Sequence, residues 1–209
     1  MMSKIAKYIT EIMVGFLILY AFLPFLSPIL FSNNSQSKIA SGIQHIYSNF
    51  CHQRPQSSIF LFGGEDSQYF YTLDELKDLD VVPKDSNMSS GAGYWGNEEI
   101  GYKVAFCIRD VGIYFALGFF GLLLVLFMNL KKKTIKVHWV FILLFMLPMV
   151  FDGIIQIFVM LFAPSWIPDW YLVSMLKKFV TGFLFGVGAA LLIFPNLKEA
   201  SGLGYNEND

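Results

Sequence analysis

Long uninterrupted apolar runs, not short-period alternation, dominate the pattern of this chain. Four are long enough to cross a bilayer as helices: Ile9–Phe31, Val111–Leu130, Val137–Phe162 and Leu172–Phe194, a crossing taking about 20 residues. Between the first two lies a more polar stretch, residues 32–109, with weaker patterns of its own. "KIASGIQHIYSNF" spaces Ile39, Ile43, Ile46 and Phe50 three or four apart and predicts an amphipathic helix lying on a membrane surface. "SSIFLFGG" ends at a double-glycine turn. "YTLDELKDLDVV" predicts a short helix started by Thr72, with Glu75 three residues on completing a capping box. "PKDSNMSSGAGYWGNEE" reads as a loop rich in Gly and Ser. The fold class these patterns predict is an all-α membrane protein: one membrane domain over residues 1–209, with four transmembrane helices and an extracytoplasmic segment between helices 1 and 2.

The first run could pass for a signal peptide, because Lys4 and Lys7 precede it. Glu11 interrupts its start, the run is long, and no small-x-small cleavage site follows, so an uncleaved helix is expected. Orientation follows from the basic residues at the helix ends. Lys4 and Lys7 flank the first helix, Lys131, Lys132, Lys133 and Lys136 fill the turn between the second and third, and Lys198 follows the fourth. The loop "APSWIPDW" has none. Both termini and the lysine turn are therefore expected in the cytoplasm, with residues 32–109 outside. The sequons at Asn33 and Asn87 agree with that side, and Trp166 and Trp170 read as interfacial anchors.

Composition agrees with a lipid environment. Of the 209 residues 55% are hydrophobic, 22 are Phe and 9 are Met, and the mean hydropathy is +0.53. A net charge of −1 supplies no global basic field for nucleic acid. The bilayer is the expected partner, and Gly182 and Gly186, a small-xxx-small pair, would suit a homo-oligomer contact. No Gly-rich phosphate loop, zincin motif or nucleophile elbow is present.

Several polar groups interrupt the apolar helices, where they cost energy and tend to face a bundle interior. Cys107, Asp110 and Tyr114 share one face where the second helix opens, and Arg109 lies beside them. Asp152 and Gln156 are four apart in the third helix, near Pro148 and Gly153. Lys177, Lys178 and Thr181 stand in the fourth. An Asp152 pairing with Lys178 or Arg109 would neutralise a costly charge, either as structure alone or as the lining of a polar cavity. Asp152, Gln156, Arg109 and Lys178 are the candidates for any catalytic role.

The chain has two cysteines and three histidines, and "FCHQRP" sets Cys51 beside His52. Three readings compete. Cys51 and Cys107 could form a disulfide on an oxidising side. Cys51, His52, Cys107 and Asp110 could converge on a metal, zinc by donor type, with copper fitting the same donors. A thiol tuned by His52 or Arg54 could be reactive. Adjacent Cys-His is not a strong metal signature, because neighbouring side chains diverge, whereas Cys107 and Asp110 are one helical turn apart.

In order along the chain, "CHQRPQSSIFLFG", "GYKVAFCIRDVGIY", "PMVFDGIIQ" and "TGFLFGVG" resemble the successive motifs of a family of polytopic membrane proteins catalogued as domain of unknown function 2085, over about Tyr47 to Pro195. The resemblance implies that the Asp110 position is often a further cysteine, and that relatives with aspartate carry a longer outer insert such as Gly63–Gly101 here. Thiolate and carboxylate are both metal ligands, so that variation suits a coordinating position better than a disulfide. The resemblance implies a fold and a site, and no reaction.

The leading expectation is a membrane protein with a Cys51/His52/Cys107/Asp110 metal site at the outer mouth of the bundle. Such a site could be structural or could act on a membrane-associated substrate. The alternatives are a thiol-disulfide membrane protein using Cys51 and Cys107, and a small transporter or channel with an Asp152–Lys178 gate.

Overall fold

The computed structural model describes residues 8–51, 53–81, 93–162 and 174–203. Among them the elements are α1 (Ile9–Asn33), α2 (Lys38–Ser48), β1 (Ser58–Leu61), α3 (Leu73–Asp78), β2 (Gly96–Asn97), β3 (Gly101–Cys107), α4 (Ile108–Lys131), α5 (Trp139–Phe162) and α6 (Met175–Lys198). The four long helices, α1, α4, α5 and α6, are each apolar enough to span a membrane, and they fall where the apolar runs predict. Lys4, Lys7, His52, the Asn87 sequon, Trp166 and Trp170 lie outside the described residues. Contacts divide the chain into two compact units, a helical unit of residues 1–21, 111–167 and 177–209, and a lobe of residues 22–110 and 168–176.

The core of the helical unit is built by α1, α4 and α6, through Val14, Leu117, Val125, Met128, Ala190 and Phe194. Phe194 lies over Gly121, where a Cβ would strike its ring. Glycine also sets the α4–α6 distance. A Cβ on Gly186 would meet the Ile113 carbonyl oxygen, and one on Gly112 would meet the backbone of Phe179 and Phe183. Gly182 and Gly186, expected as an oligomer seam, are thus both buried, with the seam occupied by α4 of the same chain. α5 contributes little to the interior. Only 11% of its membrane-length window is buried, and Phe141, Leu144, Phe151, Ile157 and Leu161 are exposed, the surface a lipid-facing helix presents.

Two ionic clusters tie these helices together. In the first, Lys177 Nζ lies 2.7 Å from Asp152 Oδ1, and Asp152 is 2% exposed. Gln156 Nε2 donates to Asp152 Oδ2 at 3.0 Å. Asp152 is paired as its burial requires, and the structure shows Lys177 as an ion-pair partner, a residue that the sequence places in the fourth helix without marking it for this role. The rotation of α6 brings it there. Residues 178, 182 and 186 follow one another at four-residue steps, and the glycines of that stripe pack on α4. Lys177 shares its angular position with Gly188, eleven residues on, and Gly188 packs against Ile142, Phe145 and Met146 of α5.

In the second cluster Glu11 Oε1 accepts from Asn129 Nδ2 at 3.0 Å and from Lys198 Nζ at 3.1 Å. Thr10 Oγ1 donates to the other carboxylate oxygen at 2.8 Å. Lys198, a topology marker in the sequence, is buried in this cluster, which joins α1, α4 and α6.

The lobe contains a three-stranded antiparallel sheet in the order β1-β3-β2. The sequence pattern does not predict it. Central β3 is almost wholly buried, so its apolar residues show no clean alternation. A bulge interrupts the β1–β3 register between Ser58 and Phe60 and places Ser58 opposite Cys107. The β2–β3 hairpin needs glycine twice, at Gly96 (φ 107°) and Gly101 (φ 93°). The expected helix is α2, capped by Ser37, and α3 carries the expected Thr72–Glu75 capping box.

The apolar face of α2 is divided differently from the prediction. Ala40, Ile43, Gln44 and Tyr47 are buried, whereas Ile39, Ile46 and Phe50 are exposed. Ile43 stands about 40° around the helix from Ile39, enough to put one into the lobe and leave the other outside. Tyr47 packs edge-on against Phe106 of β3 with centroids 4.7 Å apart.

Both ionic clusters give stability predictions. Asp152→Asn should lower the thermal stability of the purified protein by on the order of 3 kcal/mol, since it leaves a lysine uncompensated. Adding Lys177→Met should recover part of that loss; strict additivity of Asp152→Asn and Lys177→Met would argue against the pair. Glu11→Gln keeps a hydrogen-bond acceptor and leaves Glu11's site partly exposed, so its expected cost is smaller, about 1–2 kcal/mol. The same melting experiment measures it.

Candidate metal centre

Cys51 follows the last turn of α2, where its backbone N–H donates to Tyr47 O at 3.0 Å. Its side chain is buried. The chain then reverses, with Gln53 in the left-handed region at φ 47°. This conformation is uncommon for a residue with a Cβ and must be held by its surroundings. Here the holding groups are explicit. Gln53 Nε2 donates to Gln44 O and to Ala105 O, both at 2.9 Å. Gln53 O accepts from Lys103 Nζ at 2.6 Å. The Gln53 N–H donates to Cys51 Sγ at 3.4 Å. Pro55 opens a single turn of 3₁₀ helix that leads into β1.

Gln44, fully buried on α2, continues the clamp. Its Nε2 donates to Ser27 Oγ at 2.9 Å and to Lys103 O at 2.7 Å. Lys103 is fully buried on β3. Burial pushes its amino group down to about 8, against the opposing pull of Cys51.

Cys107 is the last residue of β3, and α4 begins at the next residue without a loop. The sequence predicts it on a helix; it stands on the strand and reaches the first helical turn from there. Its Sγ donates to Asp110 Oδ2 at 3.0 Å. Asp110 occupies the first turn of α4, where the helix dipole favours a carboxylate. A hydrogen bond with Cys51, then burial and the neighbouring Asp110 charge, raise the Cys107 thiol well above its ordinary value.

Cys51 Sγ, Cys107 Sγ and an Asp110 carboxylate oxygen all lie within 4.8 Å of one another. Both cysteines are free thiols. Two ligands of one tetrahedral zinc stand about 3.5–4 Å apart, so a bound ion needs adjustments of about an ångström, with Cys107 Sγ and Asp110 Oδ2 moving apart from 3.0 Å. Three of the four residues singled out from the sequence therefore come together, and the fourth, His52, lies outside the described residues.

Asp152, Gln156 and Lys178 belong to the helical unit, and Arg109 is in the lobe on the first turn of α4. Tyr114, expected on the face of Cys107 and Asp110, packs its ring edge-on against Tyr20 in the helical unit, 4.8 Å away. Sequence reasoning missed Gln44, Gln53 and Lys103. Gln44 carried a usable signal, because it stands between Ile43 and Tyr47 on the face of α2 that packs inward. Lys103 carried none within an unrecognised strand.

Neither the comparison with curated proteins nor that with solved structures gives a match. The family match takes in Cys107, Asp110, Asp152, Lys177 and Lys178, and begins after Cys51. Over residues 100–192 the chain matches the family described as predicted membrane protein (DUF2085), the same family that its four motifs resemble.

Proposed function

We propose that this multi-pass membrane protein holds a thiophilic divalent ion, zinc by donor type, between Cys51, Cys107 and Asp110 in an extracytoplasmic lobe. The observation that carries the reading is the convergence of three donor atoms within 4.8 Å from two distant stretches of chain. A disulfide needs two of these groups and gives the carboxylate nothing to do. A metal needs all three. When ionised, the two thiols and the carboxylate carry three negative charges in a partly buried place. A divalent ion and the Lys103 ammonium, buried beside Gln53, would balance them.

His52 is the sequence's candidate for the fourth donor. Four protein donors make a closed structural site, whereas three leave a position at which bound zinc activates water or polarises a carbonyl or phosphate. Copper fits the same soft donors. A second reading has a specific observation behind it: the Cys51 and Cys107 sulfurs lie within 4.8 Å of each other as free thiols, so oxidation could join them in a thiol-disulfide cycle.

The deciding measurement is metal content together with a thiol count. Purified protein should carry about one zinc per chain and show two alkylatable thiols only after chelation. Cys51→Ser, Cys107→Ser and Asp110→Asn should each reduce zinc retention by at least about tenfold, the effect of losing one ligand or its support, and Asp110→Cys should retain the ion. Metal-free protein with no free thiols would reject the metal in favour of the disulfide. His52→Ala separates the two kinds of site, since loss of zinc marks a closed centre.

Orientation has its own test. In a background lacking Cys51 and Cys107, Gln68→Cys should react with a membrane-impermeant thiol reagent in intact cells and Lys133→Cys should not. Gln68 is exposed in the lobe and Lys133 is exposed in the lysine turn. The reverse labelling would put the lobe and its centre in the cytoplasm.

A further inference from the structure

The lobe has a cavity that the cysteine centre does not use. Its volume is about 450 Å³, and Phe31, Trp95, Tyr102, Asn97, Glu98 and Glu99 line it. That is the size of pocket that takes a small organic ligand. One wall is aromatic and fixed. Phe31 stacks on Trp95 with centroids 5.8 Å apart and on Tyr102 at 5.7 Å, both at 22°. His45 sets its ring edge-on to Trp95 at 5.2 Å. Phe31 and Tyr102 are buried with Ala40 in a small core of their own. Rings held this way cannot turn to fill the cavity themselves.

The opposite character comes from the β2–β3 turn. Asn97 Oδ1 accepts from the backbone N–H of Glu99 at 3.1 Å and of Ile100 at 2.9 Å, which fixes the turn. Glu98 and Glu99 are exposed on it, and neither carboxylate is ion-paired or hydrogen-bonded to any described residue. Their charge is felt by the aromatic residues. Burial, and then Glu98, raise the Tyr102 hydroxyl above its ordinary value. Burial, and then Glu99, push Tyr94 up to about 12.

A negative rim over an aromatic wall repels an anion. To a bare metal ion it offers oxygens of Ser35, Asn97, Glu98 and Glu99 but leaves the three-ring wall without a use. What it matches is an organic cation, whose charge is attracted by carboxylates and by ring faces together and whose carbon surface is covered by the rings. We propose that this cavity binds an organic ammonium ion of the choline type, its methyl groups against the Phe31–Trp95–Tyr102 wall and its charge facing Glu98 and Glu99. A free ammonium and a phospholipid headgroup present the same chemistry. The proposal stands apart from the metal reading, since no residue is shared between the two sites.

The experiment is a calorimetric titration of the full chain, purified in an uncharged detergent. The probes are choline, its neutral isostere 3,3-dimethylbutan-1-ol, and dihexanoyl phosphatidylcholine below its micellar concentration. Saturable binding of choline, of the phospholipid or of both is expected, with the neutral alcohol at least about tenfold weaker, the loss of one charge-dependent contact. Binding of the phospholipid alone identifies a headgroup as the ligand, and binding of choline alone identifies a free ion. Glu98→Gln/Glu99→Gln and Trp95→Leu should each weaken binding about tenfold, whereas Gln68→Ala, exposed in the lobe and away from the cavity, should leave it unchanged. Glu98 and Glu99 are exposed, so their variant tests the proposal whatever Trp95→Leu does to the fold. Absence of saturable binding, equal affinity for choline and the neutral alcohol, or an unaltered Glu98→Gln/Glu99→Gln titration would each overturn it.

Discussion

The lobe depends on the side chain and backbone of Gln53. Its positive φ costs of order 1 kcal/mol, and three hydrogen bonds offset that cost: two donated by the amide to Gln44 O and Ala105 O, and one accepted from Lys103. Through these bonds one residue joins the end of α2, the middle of β3 and the loop that carries Cys51. The turn also aims the Gln53 N–H at Cys51 Sγ. With glutamate at this position the amide donors would be lost and a second negative charge would sit in the thiol site. With leucine, buried carbonyls at Gln44 and Ala105 would lose a donor. The geometry of the Cys51 sulfur is therefore set by an amide whose own chemistry is inert.

The chain solves the burial of charge in two different ways. In the helical unit the buried Asp152 and Lys198 each meet a counter-ion on another helix, Lys177 and Glu11, at 2.7 and 3.1 Å. Such pairs are worth little against an apolar replacement, but breaking one is expensive, so they fix which helices face each other. The lobe treats Lys103 differently. Its ammonium is completed by the Gln53 carbonyl, and its charge answers the thiols nearby. An arrangement of that kind is conditional on the state of the thiols, whereas a carboxylate–lysine pair across helices is not. The same contrast explains why α5 can be so exposed. One ion pair and the Gly188 contact locate it, and lipid supplies the apolar surroundings that a soluble protein would have to provide itself.

The long helices were legible because crossing a bilayer demands a length and a polarity that no other element needs. Their ends fell within a few residues of the prediction for α1, α4, α5 and α6. The capping box at Thr72 was legible too, because its two hydrogen bonds are local. The sheet was not. Strand β3 is buried on both sides, so Val104, Ala105 and Phe106 form a continuous apolar run with no period to read. That Lys177 reaches Asp152 was also hidden, since adjacent residues differ by a rotation of about 100° that only helix packing decides. Cys107 and Asp110 could be joined by spacing alone. Bringing Cys51 to them required the Gln53 turn and the β1–β3 bulge, and both are tertiary facts.

The register of β3 also separates the two sites of the lobe. Successive residues of a strand point to opposite faces. Tyr102 turns to the aromatic wall with Phe31, and Lys103, the next residue, turns to Gln53 and Cys51. The backbone between them is held from both sides: Lys103 N–H donates to Trp95 O at 2.7 Å, and Lys103 O accepts from Gln44 at 2.7 Å. A one-residue slip of β3 would exchange these faces, placing a tyrosine among the thiol groups and a lysine between stacked rings. The bulge at Ser58–Phe60 and the two positive-φ glycines of the hairpin therefore have a shared consequence. They lock the single register in which the aromatic cavity and the thiol centre exist together.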